Sequence, residues 1–499
     1  MDRRTQGAVI LSLLIIVSVA PGVVSTSGTS IQAADPTVLD SCTVVTEPGS
    51  YVLDADIETA TAGVCIEIRA DDVVFDGQNN LLDGLRPPTQ AGLTIGIRVT
   101  NATNVTVRNV RLAEWDDGIA FDNSSNGVVS GLVAEETGAA ISATNSTNVS
   151  VGESSLRDGG VAISFDQVRG GEIADVFARN NSISGITLDQ SRRVAIRNVT
   201  AIANTSFGPM FFRRRPAALG IGISDSRNVT VTGVNVTENI GGVSMTNTTD
   251  SEITDCTASR NGFGIRLVRS SDETLDGCTL TENDLGLAVV QSRRVNVTEF
   301  TVESNELGID LFVSENVSVA ESTVTDSSRV GLVVERADYN EFRDVTVEGT
   351  TAESALDGIS AGILLDNATR NEFTNAAVSD NENWAVFAVQ GGTNVFEQSV
   401  FGTMRFSFRL RNVALDAADA ESAPENDPVE SVVPLEVAAT QPDSVLNVTL
   451  REPLGAANET VTSDETETPD SEGDTEAEET TTTESGPDTE RETTDTSNG

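Results

Sequence analysis

The residues GIRLVRSSDETLDGCTLTENDL (264–285) run directly into GLAVVQSRRVNVTEFTVESNEL (286–307) and GIDLFVSENVSVAESTVTDSSR (308–329), three segments of 22 residues each. Each opens on a glycine followed by an alternating apolar pair: Ile265 and Leu267, Leu287 and Val289, Ile309 and Leu311. Alternation with period two marks a short strand with one buried face. A second apolar position follows at Leu275, Val297 and Val319, and a third alternating pair at Phe300 and Val302. Three strands separated by turns fill the unit and leave no room for a helix.

Working outward from this stretch, unit starts fall at Gly96, Gly118, Ala140, Ala162, Gly185, Gly220, Gly242, Gly264, Gly286, Gly308, Gly331, Gly362 and Ala385. A unit that cannot bury its apolar face alone must stack on its neighbours, so the chain is expected to wind into an all-β solenoid, a parallel β-helix of about 13 coils with a 22-residue repeat. The signature of leucine-rich repeats, which have a similar period, is absent. Asn239, Asn261, Asn283 and Asn305 recur at one turn position. Asn tolerates left-handed turn geometry, and stacked copies can pass hydrogen bonds from coil to coil.

The ends differ from the array. Residues 1–33 read as a secretory signal, with Arg3 and Arg4 before an apolar run from Ala8 to Ala20 and a small-residue cleavage site in SIQA-AD. The alternative of an uncleaved anchor is weakened because that run is shorter than the ~20 residues a span needs. No second hydrophobic span follows, so no transmembrane segment is expected in the mature chain. Residues 34–95 are expected to form an N-terminal cap and first coil, 96–410 the β-helix, and 411–451 a small C-terminal β cap. From 452 to 499 the chain is Thr, Glu, Asp and Ser without aromatics, which cannot bury a core; it reads as a disordered acidic tail, either a stalk or a solvating segment.

Asp and Glu number 77 against 31 basic residues, all of them Arg, and the chain has neither Lys nor His, for a net charge of −46. This balance repels nucleic acid and anionic membrane, so neither is expected as a partner. Carboxylate excess without Lys fits a chain built for molar salt, the habit of an extreme halophile. The lack of His removes the commonest general base, the commonest metal ligand and every Ser-His or Cys-His nucleophile.

Four cysteines in an exported chain favour disulfides, Cys42 with Cys65 and Cys256 with Cys278. Cys256 and Cys278 share an inward position on adjacent coils, so a bridge and a buried reduced pair both remain open.

The repeat G-I-x-L followed by N-x-V-x-V, together with SCTVVTEPGSYVLDADI (41–57) and CIEIRADDVVFDGQNNLLDG (65–84), resembles the NosD-like right-handed parallel β-helix proteins of the pectate-lyase-like superfold, as found among secreted haloarchaeal surface proteins. The resemblance covers about residues 40–410 and implies a right-handed solenoid. It also implies delivery of copper, but with no His and four Met no soft-ligand cluster is visible, so that role is a secondary alternative.

Two repeats are too long, 35 residues from Gly185 to Gly220 and 31 from Gly331 to Gly362, and both surpluses fall after the third strand, at one corner. The first holds SFGPMFFRRRPAAL (206–219), where Phe211 and Phe212 suit sugar faces and Arg213, Arg214 and Arg215 suit carboxylates or sulfates. The competing reading is aromatics folded back on the solenoid and arginines neutralising nearby acids. Asp166 and Asp189 fall at equivalent places on adjacent coils, with Asp122 two coils earlier. Stacked carboxylates share a cation, with Ca²⁺ possible, or raise a pKa, which is how glycoside hydrolases and polysaccharide lyases arise on such faces. Solvated surface is the plainer account in a chain with 77 acids. Outward residues of the first strand, Ala120, Ser142, Ser164, Thr187, Gly222 and Ser244, are small and form a flat strip. Sequons such as Asn101, Asn148, Asn198, Asn228, Asn296 and Asn316 are candidate glycosylation sites, although turn chemistry alone favours Asn with Thr. The expectation is a monomeric, secreted or cell-surface protein that binds polysaccharide or serves a structural role without catalysis. The alternative is a lyase or hydrolase using the stacked aspartates.

Overall fold

The computed structural model describes residues 35–60, 63–84, 93–203, 218–352 and 360–401, with strands Phe408–Leu410, Val413–Asp416 and Val445–Leu450. The expected signal segment 1–33, the cluster Phe211, Phe212, Arg213, Arg214 and Arg215, and the tail 452–499 lie outside the described residues, as does most of 411–451.

The described chain is all strand and turn. One coil consists of Leu285–Val290, Arg293–Thr298 and Thr301–Glu303, and each of these strands pairs in parallel with the same strand one coil on: Leu287 with Ile309, Val297 with Val319, Val302 with Val324. Stacking the first strand of every coil makes one parallel sheet of 16 strands, from Thr43–Val45 to Phe408–Leu410. The solenoid therefore starts earlier than Gly96. Thr43–Val45 and Val64–Ile68 already lie in the sheet, the latter paired with Ile95–Thr100, so the segment 34–95, expected as an N-terminal cap and first coil, contributes two strands to this stack. Past the last coils Val445–Leu450 pairs antiparallel with Thr393–Glu397 and Val413–Asp416, a covered edge of the kind that prevents further strand addition.

The alternating residues are the core. Ile265, Leu267, Leu287, Val289, Ile309 and Leu311 are fully buried, and Phe342, Phe373 and Phe396 stack along the axis with ring centroids 4.4 and 4.3 Å apart. Backbone proximity explains the glycine that opens the unit: a Cβ on Gly286 would lie 2.5 Å from the carbonyl oxygen of Gly308, and one on Gly308 2.3 Å from that of Gly331. Both long repeats keep register, Ser184–Asp189 with Leu219–Ser224 and Val330–Glu335 with Ala361–Ala368, and their surplus lies beyond the third strands Thr200–Ile202 and Thr346–Glu348.

Both cysteine pairs are disulfides, Cys42–Cys65 and Cys256–Cys278, with Cα atoms 4.3 and 4.5 Å apart, about one strand spacing. The asparagine ladder forms, but not for the reason its sequence position implies. Asn239, Asn261, Asn283 and Asn305 are buried, and the left-handed residue at each corner is the one before, Glu238, Arg260, Glu282 or Ser304. The Asn239, Asn261 and Asn283 amides each donate to the next coil's asparagine Oδ1, at 3.2, 3.1 and 3.0 Å in turn. The internal polar row thus fills the donor and acceptor capacity of the corner backbone.

Candidate polysaccharide-binding corner

Immediately after the first strand the chain turns through a left-handed residue on coil after coil. Asn123, Asn145, Gln167, Gln190, Asp225, Asn247, Arg269 and Gln291 occupy this place with φ between 47° and 56°. Non-glycine residues adopt this region at a cost that Asn bears best, which is why amides dominate the row. The outward amides ladder as the buried ones do: Asn123 Nδ2 donates to Asn101 Oδ1 at 2.6 Å, and Asn145 Nδ2 to Asn123 Oδ1 at 3.2 Å.

Two residues later a second outward row runs parallel, held by bridges that link Ser125 to Thr147, Arg169 to Arg192, Arg192 to Arg227 and Arg227 to Thr249. Between the rows small hydroxyls point inward and are satisfied; Ser191 Oγ, for example, donates to Asp189 O at 2.9 Å and accepts from Val168 N at 3.0 Å. The two rows border open grooves of about 530 and 560 Å³ that share Asn247 and Thr249 and so form one continuous corner.

Arg169, Arg192 and Arg227 thus stack on three consecutive coils, though 23 and 35 residues apart in sequence. Among the described residues their guanidiniums make no ion pair, whereas nearby Arg197 pairs with Glu172 at 3.3 Å and Arg260 with Glu238 at 3.3 Å. Arg192 Nε is buried without a hydrogen-bond partner. Repulsion from Arg169, then burial, then repulsion from Arg227 and Arg193 pull the Arg192 guanidinium below its ordinary range. A guanidinium does not release its proton under these conditions, so the shift is stored like-charge repulsion.

The aspartates singled out in the sequence flank this corner. Asp166 is in register with Asp189, and Asp122 lies two coils earlier through Thr144. Asp122 is held by Arg98 Nε at 2.8 Å, while Asp189 accepts from Ser224 Oγ at 2.7 Å and Gln190 Nε2 at 3.2 Å. Asp166 Oδ1 is buried and unpartnered. Among the described residues no three His, Cys, Asp or Glu side chains gather closely enough to hold a metal ion, so a Ca²⁺ at the aspartates would have to complete its shell elsewhere. The strip of small residues is in register from Ala120 to Ser244 and ends at Arg266. Candidate glycosylation asparagines Asn101, Asn148, Asn198, Asn228, Asn296 and Asn316 are all exposed, and all but Asn296 sit at positive φ.

One group escaped sequence reading altogether. Glu273 is buried at an inward position whose neighbour on the next coil is Val295. Its Oε1 accepts from Thr248 Oγ1 at 2.8 Å and its Oε2 from Ser251 N at 3.2 Å.

The chain matches the family model of the right-handed β-helix region over residues 95–250 and 214–352, and it belongs to that family. Among solved structures it is similar to the A-module of mannuronan C-5 epimerase AlgE4 from Azotobacter vinelandii, at 16% identity over 62% of this chain and 87% of that one, TM-score 0.41. It is also similar to the tailspike of E. coli bacteriophage HK620, at 10% identity over 70% and 74%, TM-score 0.46, and to the periplasmic alginate epimerase AlgG, at 11% over 70% and 79%, TM-score 0.34. These are likenesses of winding at low identity and do not bear on the chemistry of this chain. No curated protein sequence matches it. Among the described residues no helix is long and apolar enough to cross a membrane.

Proposed function

We propose that this is a non-catalytic β-helix protein that works outside the cytoplasm, as a monomer, and binds polysaccharide along the polar corner of its solenoid. The observation that carries the reading is the corner: amide, hydroxyl and guanidinium groups repeat in register over eight coils and border an open groove. A long, open, hydrogen-bonding surface suits a polymer that offers hydroxyls at every residue, whereas a small metabolite needs a closed, largely apolar pocket.

Two disulfides support an oxidising compartment. The Lys-free acidic composition and the resemblance to NosD-like proteins support a halophile's surface protein. A glycan coat on the exposed sequons fits the same setting, though turn geometry accounts for most of those asparagines. The copper-delivery alternative has little to stand on: His is absent, Met245 is fully buried and all four cysteines are paired.

A second reading, polysaccharide cleavage, draws on the adjacent Asp166 and Asp189 and the unpartnered Asp166 oxygen. A glycan array combined with an assay for new reducing or unsaturated ends, in molar salt with Ca²⁺, separates the two. Retention of a polysaccharide without products supports the binding reading. Product formation that disappears in a folded Asp189→Asn variant overturns it.

A further inference from the structure

We propose that the Arg169, Arg192 and Arg227 stack is a subsite for the anionic groups, carboxylate or sulfate, of an acidic polysaccharide lying parallel to the solenoid axis. The inference deepens the polysaccharide reading above and rests on it.

Charge gives the first argument. In a chain of net charge −46 acids are plentiful, and Arg157, Arg294 and Arg329 each pair with one. Here three stack on one another with no acid between them, and Arg192 keeps a buried Nε without an acceptor. A folded protein tolerates such repulsion when something outside the chain relieves it. The carboxylate bordering the same groove, Asp225, is already occupied by the Asn247 side-chain amide.

Spacing gives the second. Neighbouring coils are ~4.8 Å apart, about the length of one sugar residue in an extended chain, so anionic groups on successive residues meet guanidiniums on successive coils. Guanidinium presents paired donors to a carboxylate or sulfate, and Gln167 and Gln190 border the same groove with amides suited to ring hydroxyls. The partner is thereby set apart from neutral glycans, which offer the stack no anionic group.

The test uses the full chain and its Arg192→Gln variant, at one chloride concentration where both are folded, with polygalacturonate, dextran sulfate and neutral dextran as probes. The expected result is binding of one or both charged polymers, weaker by roughly tenfold or more in the variant, with neutral dextran unbound. Which charged polymer binds tells carboxylate from sulfate. Without polymer, Arg192→Gln should melt no lower than the parent, because it removes repulsion, yet lose the rise in melting temperature that the charged polymer gives the parent. Equal binding of neutral dextran, or binding unchanged by Arg192→Gln, overturns the inference and leaves the polysaccharide reading standing. No binding of any polymer, here and on a broad glycan array, removes both.

Discussion

Glu273 is one residue whose surroundings, not its type, set its behaviour. Burial pushes its carboxyl up to about 7; hydrogen bonds from Thr248 and the Ser251 N–H oppose this, and Asp250 and Asp272 add to it. In the unfolded chain the group titrates near its ordinary 4.5, so between 4.5 and about 7 the folded state keeps a proton that the unfolded state has released. The sign follows: unfolding free energy is highest below this window, falls as pH rises through it and levels off above it. The full span is worth roughly 3 kcal/mol. Glu273→Gln, which mimics the protonated form, should match the parent near pH 4 and exceed it near pH 8. Denaturation midpoints across that range check this, and a variant with the parent's own decline would assign the decline to other carboxylates.

Among the elements, the asparagine ladder ties each coil to the next from inside. Asn283 Nδ2 donates to Ala258 O at 3.1 Å and Asn305 Oδ1 at 3.0 Å, while its Oδ1 accepts from Asn261 N at 2.9 Å. Asn283→Ala strands buried partners on both sides, and each costs about 1–3 kcal/mol, so a loss of about 3 kcal/mol or more is expected. The outward ladder behaves differently because water replaces its bonds. Asn123→Gly, which keeps the left-handed turn, should change stability by no more than about 0.5 kcal/mol. Chemical denaturation of the two variants compares them directly, and equal losses would mean burial does not separate the ladders. The distinction is invisible in sequence, where both rows are asparagine at the 22-residue spacing.

For the molecule as a whole, net charge dominates. At −46 the folded chain repels itself, and its ion pairs are solvent-exposed contacts between arginine and acid, such as Arg329 with Glu306 at 3.2 Å, worth little individually. Molar salt shortens the range of repulsion to ~3 Å, so the melting temperature should rise steadily from low salt to molar KCl. A higher melting temperature in low salt would remove the halophile reading. The same screening limits the arginine corner to close contacts, which favours a ligand held by paired hydrogen bonds over one drawn in from a distance.

The sequence by itself determined the winding. Period-two apolar pairs, a glycine where adjacent backbones nearly touch and a repeat of constant length admit one arrangement, since each unit must bury its face on the next. The place of the inserts and the cysteine pairing were legible for the same reason: coil stacking converts a 22-residue offset into contact. The tertiary structure alone decided which members of a row find partners. Arg169, Arg192 and Arg227 stand at one offset from the unit starts Ala162, Gly185 and Gly220, but only the folded coils show that Arg192 Nε is buried there without a hydrogen-bond partner. It alone decided, too, that the buried Glu273 meets the Thr248 hydroxyl and the Ser251 N–H, because those partners lie on the preceding coil and only stacking brings them within reach.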